Sequence, residues 1–265
     1  MKHLLWLITT CYLGAALGCG AGLAAETAMT VQPIGNDAYI LTPAYGTNIG
    51  VFKTAGGLVL IDPMPGEDQL VQLEQQIKSL LGAPVQFILN THAHADHQGG
   101  NSYFVQKGAV LLADSSHLAG FQSASAASHT TLDTVFYHKA SNSIFVGDIY
   151  DRSWHPTFYA GGLAGFHQAI NAILALGDNQ SLIVPGHGKP GSKAELRQFQ
   201  LHTTAWVARV QQLSRAGKTV DDIKNDAEIK RILQQFNPEP TADFVPEQAL
   251  VRFIERTLTL IKKEQ

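Results

Sequence analysis

Three histidines and an aspartate stand within six consecutive positions of the chain, His92 to His97, in the stretch "HAHADH". On an extended segment residues i and i+2 point the same way, so His92 and His94 could reach one cation together. Asp96 and His97 follow a turn and could point to a second position. Imidazole and carboxylate groups suit zinc, whose sites usually have four ligands. A solvated surface turn is the alternative, but this density of ligand-type side chains predicts part of a metal site.

The apolar segments around this stretch predict alternating strands and helices. Short strand-like runs occupy residues 31–62, and residues 67–82 carry leucine and isoleucine at helical spacing before a terminal glycine. The apolar run "VQFILN" leads directly into the histidine stretch, and "SLIVPGHG" ends in a Gly-rich turn. From Ser192 onward the pattern is mostly helical. This order fits an α/β protein whose sheets are covered by helices, with its polar motifs where strands end.

The spacing His-x-His-x-Asp-His resembles the signature of the metallo-β-lactamase-fold hydrolases. Four further stretches resemble the other motifs of that family, in the same order. They are "LVLIDP" with Asp62, "HTTLDTVFY" with His129, "FVGD" with Asp148 and "VPGHG" with His187. The resemblance covers roughly residues 31–189. It implies a four-layer αββα sandwich, here followed by C-terminal helices.

The resemblance also implies a role for each motif residue. The ligands of one zinc ion would be His92, His94 and His129. Those of a second zinc ion would be Asp96, His97 and His187. Asp148 would touch both ions, Asp62 would support the metal-binding loop, and Asp96 and Asp148 would be the catalytic carboxylates. Iron or manganese are alternatives to zinc. A hydroxide held between the two ions would then cleave an ester, thioester, lactone or lactam bond.

The segment that leads to His129 looks shorter than in the family, as if a strand pair were trimmed from it. His117, in "DSSHLAG", is a rival ligand. We favour His129 because "HTTLDTV" leads into a strand, as the family motif does.

Other chemistries of the superfamily are weighed by residue identity. His94 stands where flavodiiron oxidoreductases carry glutamate, and Asp148 stands where dedicated metallo-β-lactamases carry cysteine or serine. The bridging aspartate favours the esterase, thioesterase and lactonase branches. Three alternatives stay open: β-lactamase activity as the main function, a mono-iron persulfide dioxygenase, and a metal-binding protein without turnover.

Two aromatic loops are candidates for substrate binding, with a small molecule as the expected partner. "TPAYGTN" carries Tyr45, and "IYDRSWHPTFYAGG" follows Asp148. The candidates in the second loop are Tyr150, Trp154, His155 and Tyr159. Packing of the loop is the alternative role for these side chains.

Residues 1–25 have a basic start, a long uncharged run and small residues before Glu26, which predicts a secretory signal peptide and a periplasmic or secreted protein. An uncleaved membrane anchor and lipid attachment at Cys19 are alternatives. Cys11 and Cys19 both lie in this leader, so no cysteine remains as ligand or nucleophile. We expect residues 26–191 to form the core domain and residues 192–265 to form helices packed on or near it. The net charge of −3 gives no indication of nucleic-acid binding.

Overall fold

A mixed sheet of six strands forms one half of the molecule in the computed structural model, which describes residues 29–43, 46–237 and 244–263. Its strands lie side by side in chain order, antiparallel from the first to the fourth and parallel from there to the sixth. They are β1 (Thr30–Gly35), β2 (Ala38–Thr42), β3 (Ile49–Thr54), β4 (Gly57–Ile61), β5 (Val85–Leu89) and β6 (Val110–Leu111).

A second mixed sheet contains five strands. These are β7 (Phe121–Ala126), β8 (Asp133–His138), β9 (Ser143–Gly147), β10 (Leu182–Pro185) and β11 (Gly191–Ser192). Their spatial order is β11-β10-β9-β8-β7, and the pair β9 and β10 is parallel while its neighbours are antiparallel.

Helices cover the outer faces of the two sheets. They are α1 (Leu70–Leu81), α2 (Ala95–Gln98), α3 (Asn101–Val105), α4 (Gly162–Ala175), α5 (Lys193–Arg215), α6 (Val220–Asn225), α7 (Ala227–Gln234) and α8 (Glu247–Lys263). Within the described ranges no helix has the length and apolar character needed to cross a membrane. The predicted leader, with Cys11 and Cys19, lies outside the described residues.

Three hydrophobic clusters hold four layers together. Leu73 and Ile77 of α1 pack on the first sheet. Phe52 of that sheet contacts Phe145 of the second sheet edge-on, with ring centres 5.5 Å apart, and belongs to the cluster between the sheets. The largest cluster joins the second sheet to α4, α5 and α8. This α/β/β/α layering confirms the fold class expected from the sequence.

The segment before His129 contains a full strand, which the sequence reading missed. Strand β7 pairs with β8 along its whole length, from Phe121 opposite His138 to Ala126 opposite Asp133. Its sequence "FQSASA" has one large apolar residue and no β-branched residue, so its intrinsic strand propensity is low. The hydrogen-bonded ladder to β8 stabilises the strand in place of intrinsic propensity. The loop between the two strands carries His129.

The C-terminal helices begin with side-chain caps. Ser192 and Glu195 form a capping box at α5, and Thr219 and Asp222 form another at α6. Deeper in the structure, Phe253 of α8 lies between two flat rings. It stacks on Trp206 of α5 at 4.1 Å and on His155 at 4.1 Å, which ties the helices to the loop after β9.

Candidate metal centre

All seven predicted ligand side chains meet at one edge of the two sheets. The histidine stretch follows the end of β5, Asp148 follows β9, His187 follows β10, and His129 lies in the loop between β7 and β8. The structure brings them together in two groups of potential metal ligands. The first group is His92, His94 and His129, and the second is Asp96, His97, Asp148 and His187.

The first group is formed by three imidazole nitrogens. His94 Nδ1 lies 3.1 Å from His92 Nε2 and 3.0 Å from His129 Nε2. His92 is buried, and His94 is exposed at the mouth of the site. A cation placed among these nitrogens would have solvent access on the His94 side.

The second group combines two imidazoles with two carboxylates. His97 Nε2 lies 3.3 Å from Asp148 Oδ1, and His187 Nε2 lies 3.3 Å from Asp96 Oδ2. His97 is completely buried, whereas the side chain of Asp96 is 57% exposed. The second group therefore also has a closed end and an open end.

Asp148 lies between the two groups and presents one oxygen to each. Its Oδ1 faces His97 and His187, at 3.3 and 3.6 Å. Its Oδ2 faces His129 and His92, at 3.6 and 3.9 Å. A carboxylate in this position can contact two cations at the same time.

Two buried polar atoms in the site lack a hydrogen-bond partner within the described part of the chain, namely His97 Nε2 and Asp148 Oδ1. A buried polar atom without a partner is costly, and a metal ion is one way to satisfy it. Imidazole and carboxylate donors suit zinc, and imidazole suits iron as well. The residues therefore fit a metal pair.

The charge states differ between the groups. Burial lowers the pKa of His92 to about 3 and also lowers the pKa of His129, so both imidazoles are neutral at pH 7 and ready to donate a lone pair. Burial opposes protonation of His97 and His187 as well, but nearby carboxylates outweigh it. The pKa of His97 rises to about 11, mainly through Asp62 and Asp148. The pKa of His187 rises to about 9, mainly through Asp96.

Asp62 binds the His97 ring at Nδ1, the nitrogen that faces away from Asp148. Its carboxylate accepts hydrogen bonds from the Thr91 amide at 2.8 Å, from Thr91 Oγ1 at 2.7 Å and from His97 Nδ1 at 2.9 Å. This leaves His97 Nε2 as the nitrogen that faces Asp148. The backbone of Asp62 lies at φ 53°, a left-handed conformation that aspartate tolerates better than most residues. Asp62 therefore holds the loop of Thr91 and His97 at some conformational cost.

Two glycines leave the space that the site needs. Gly147 precedes Asp148 at φ 54°, and a Cβ there would lie 2.5 Å from Thr91 Oγ1. A Cβ on Gly186 would lie 2.0 Å from Asp148 Oδ1. Side chains at these positions would displace the carboxylate between the two groups.

His129 is fixed by residues that the sequence reading did not single out. Asp133 accepts hydrogen bonds from the amides of Ser128 and Thr130, which closes the loop around His129. Thr157 Oγ1 lies 2.6 Å from His129 Nδ1. His117, the rival ligand, is exposed and belongs to neither ligand group.

Thr47 and Asn48 join the β2–β3 connection to the ligand loops. Thr47 Oγ1 donates to the carbonyl of Asp96 at 2.5 Å, and Asn48 Nδ2 donates to the carbonyls of Pro185 and Gly188. Their signal in the sequence was a polar pair directly before the apolar run of β3. Tyr45, the predicted substrate residue of the same loop, lies outside the described residues.

The four aromatic candidates of the loop after Asp148 divide into two kinds. Tyr150 is buried in the large hydrophobic cluster against Phe199, and burial raises its pKa to about 12. Trp154, His155 and Tyr159 line a cavity against α8. Packing is therefore the observed role of Tyr150.

Asp151 is a buried carboxylate three residues after Asp148, and its side chain accepts hydrogen bonds from Ser153 N and Oγ. Burial, with the negative charge of Asp148, raises its pKa to about 6 from 3.8. The folded protein therefore favours the protonated form. The stability from this group is fully present below pH 3.8 and is lost as the pH rises through about 6.

We expect Asp151→Asn to stabilise the metal-free protein at pH 8. The amide keeps an oxygen that can accept from Ser153 and removes a buried charge, which corresponds to a gain of about 1–3 kcal/mol in the free energy of unfolding. Urea denaturation at pH 4 and pH 8 measures the free energy of unfolding, and Asp114→Asn at an exposed position is the control. The gain should vanish at pH 4. A variant less stable than the parent at pH 8 would contradict the assignment.

The comparisons with known proteins agree with the fold and the motifs. The sequence model of the metallo-β-lactamase superfamily matches residues 42–119, which include Asp62 and the histidine stretch. A probable hydroxyacylglutathione hydrolase from Schizosaccharomyces pombe is 30% identical over 169 residues, which is 55% of this chain. The chain spans 64% of the length of that relative.

Solved structures of metallo-β-lactamases share the fold. The enzyme from Hirschia baltica has a TM-score of 0.56 at 18% identity, over 65% of this chain and 96% of its own. The enzyme from Pontibacter korlensis has a TM-score of 0.55 at 20% identity, over 66% and 98%. The mono-zinc form of the enzyme FIM-1 from Pseudomonas aeruginosa has a TM-score of 0.57 at 18% identity, over 65% and 93%.

At this level of identity the structural likeness concerns the fold, and the superfamily model matches the segment that carries the histidine stretch. The described residues also contain a His/Asp cluster able to bind metal ions. Residues 42–119 of the chain match the metallo-β-lactamase superfamily, and the described structure has the metallo-β-lactamase fold.

Proposed function

We propose that this protein is a hydrolase with two zinc ions that cleaves an ester, thioester, lactone or lactam bond in a small molecule. One observation carries the proposal: Asp148 presents Oδ1 to one group of ligands and Oδ2 to the other. A site for a single ion would not need the complete second group of Asp96, His97 and His187. This argument favours a dinuclear hydrolase over a mono-iron dioxygenase.

The site residues have two proposed roles, as metal ligands and as supports of those ligands. The assigned ligands of one ion are His92, His94 and His129; those of the other are Asp96, His97 and His187, with Asp148 shared. Ions held there would lower the pKa of bound water to about 7 and polarise the bond to be cleaved. Asp62 and Asp133 would keep the imidazoles in position through the hydrogen bonds described above.

Asp96 is assigned a second role at the open end of the site. In the metal-free protein a hydrogen bond from His187 lowers its pKa to about 2, so its carboxylate is ionised at neutral pH. An ionised and exposed carboxylate accepts hydrogen bonds. We therefore assign Asp96 to orient water and substrate through its oxygens rather than to donate a proton.

Two findings support a choice of the bond that is cleaved and of the metal that is bound. The curated relative is called a hydroxyacylglutathione hydrolase, which supports a thioester as the first substrate class to test. One structural neighbour is described in a mono-zinc form, which supports zinc. The lactam stays in the panel because the structural neighbours are metallo-β-lactamases.

Metal analysis combined with a substrate panel tests the proposal. We expect about two zinc ions per chain and hydrolysis of at least one member of a panel of thioesters, lactones, esters and nitrocefin. If the protein instead contains one iron per chain and consumes oxygen, the result would favour a persulfide dioxygenase and contradict the proposal. Fewer than two metals without turnover on any substrate would favour a metal-binding protein.

A further inference from the structure

The segment "GHGKP", residues 186–190, connects β10 to β11 and carries one of the expected ligands. We call it the His187 loop. Two of its five residues are glycine, and Gly188 has a φ of 86°, a backbone conformation that favours glycine. A glycine-rich loop can adopt many backbone conformations, so contacts with other parts of the fold must restrict it. The position of the His187 side chain therefore depends on the residues that contact this loop.

The β2–β3 connection provides one set of these contacts. The Asn48 amide donates to the carbonyl of Gly186 at 2.8 Å, and Asn48 Nδ2 donates to the carbonyl of Gly188 at 2.7 Å. Thr47 pairs with His187 as an isolated antiparallel bridge. These contacts join the His187 loop to the first sheet.

Arg152, in the loop after β9, provides a second set of contacts. Its amide donates to the carbonyl of His187 at 3.0 Å. Its Nη1 donates to the carbonyls of Lys189 and Pro190, at 3.1 and 2.8 Å. A Cβ on Gly188 would lie 2.9 Å from the Cβ of Arg152, so the two segments are in direct contact. Arg152 thus binds three carbonyls of the His187 loop.

Glu195 fixes the direction of the guanidinium. Its Oε1 lies 2.7 Å from Arg152 Nη2, and its Oε2 accepts from the Ser192 amide at the start of α5. An exposed ion pair by itself contributes little to stability. The side chain of Arg152 is only 11% exposed, however, and its donors lie in one rigid plane, so the ion pair also orients Nη1 towards the loop carbonyls. Arg152 therefore connects the loop after β9, the His187 loop and α5.

Both segments that Arg152 joins carry members of the second ligand group. Asp148 lies four residues before Arg152 in the loop after β9. His187 Nε2 lies 3.6 Å from Asp148 Oδ1 and 3.3 Å from Asp96 Oδ2. Small movements of the His187 loop would change these distances, although no atom of the Arg152 side chain belongs to either ligand group.

We propose that Arg152 is a positioning residue for the second ligand group. By holding the His187 loop against the loop after β9, it keeps the His187 imidazole within reach of an ion that Asp148 also contacts. Arginine suits this role because two nitrogens of one planar group reach the loop carbonyls and Glu195 at the same time. Lysine has its donors on a single nitrogen. The inference rests on the proposed metal site and adds a residue outside its ligands.

Zinc titration against a chromophoric chelator tests the role. We expect R152Q to weaken binding of one of the two Zn²⁺ ions about tenfold or more, and R152K to recover less than half of that loss on a logarithmic scale. The matched control is R209Q. Arg209 forms a comparable two-nitrogen pair with Asp226, between α5 and the start of α7, and its loss should leave both zinc affinities unchanged.

Double variants separate positioning of His187 from a general effect on folding. If Arg152 acts through His187, R152Q should weaken zinc binding by no more than about twofold in an H187A background. In an H129A background, which keeps the complete second group, R152Q should weaken zinc binding as much as it does in the parent. A general loss of folding would weaken binding in both backgrounds.

Each outcome decides a different point. Zinc affinities of R152Q equal to those of the parent would overturn the positioning role and leave the proposed hydrolase. Equal losses in the H187A and H129A backgrounds, or full recovery in R152K, would also contradict the role, by assigning the effect to the fold or to charge alone. One zinc ion per chain in the parent, with an effect of R152Q that disappears in H187A, would contradict the two-zinc hydrolase and support the positioning role.

Discussion

Asp148→Ala is expected to lower the bound metal from about two ions per chain to one or fewer, and to lower kcat/KM at least about 100-fold. The physical reason is the position of the carboxylate, since its two oxygens face the two ligand groups. Without it, His97 and His187 lose their nearest common partner, and no residue joins the groups. Metal analysis and hydrolysis of the best panel substrate measure the two effects.

Histidine variants serve as matched controls for this prediction. His129→Ala should lose metal from the first group, because His129 Nε2 lies 3.0 Å from His94 Nδ1. His117→Ala should keep the full metal content and activity, because His117 is exposed and lies outside both groups. The reverse result would make His117 the ligand and His129 a loop residue.

Asp62→Asn is expected to weaken metal binding by about 10–100-fold while every assigned ligand stays in place. An asparagine can present only one oxygen, so it cannot accept from both the Thr91 amide and His97 Nδ1 as the two carboxylate oxygens do. His97 then loses the partner that orients Nε2 towards Asp148. Competition with a chromophoric chelator measures the affinity.

The matched control is Asp37→Asn. Asp37 is exposed and also has a positive φ, 56°, so the same substitution is made at a similar backbone conformation. Its metal affinity should equal that of the parent. An equal loss in both variants would assign the effect to the backbone instead of to the hydrogen bonds of Asp62.

The expected metal ligands could be named from the sequence because their stretches resemble the motifs of one family. Most of them follow an apolar run, where strands deliver polar side chains to one sheet edge, whereas His129 precedes the run of β8. The histidine stretch after "VQFILN" and the turn "PGHG" after "SLIV" are local signals of this kind. Apolar periodicity is a property of neighbouring residues and predicted the alternating strands and helices, whereas the layer order was implied by the family resemblance.

Strand β7 escaped prediction because its stability is not local. Its alternating serines and alanines have little strand propensity, and the partner that holds it, β8, is what makes it a strand. Asp133 and Thr157 escaped for a related reason, since each acts on His129 through a loop whose shape depends on the fold.

The sequence by itself determined the residue types of a metal site, their order along the chain and the sheet-and-helix architecture that carries them. Only the tertiary structure decided that the oxygens of Asp148 face opposite groups and that Tyr150 is buried while Trp154 lines a cavity. It also decided that Arg252 and Arg256 of a distant helix line a cavity together with Trp154 and Tyr159 of the loop after β9. The reason is physical: spacing along a chain sets which face of an element a side chain occupies, whereas distances between elements depend on how the layers pack.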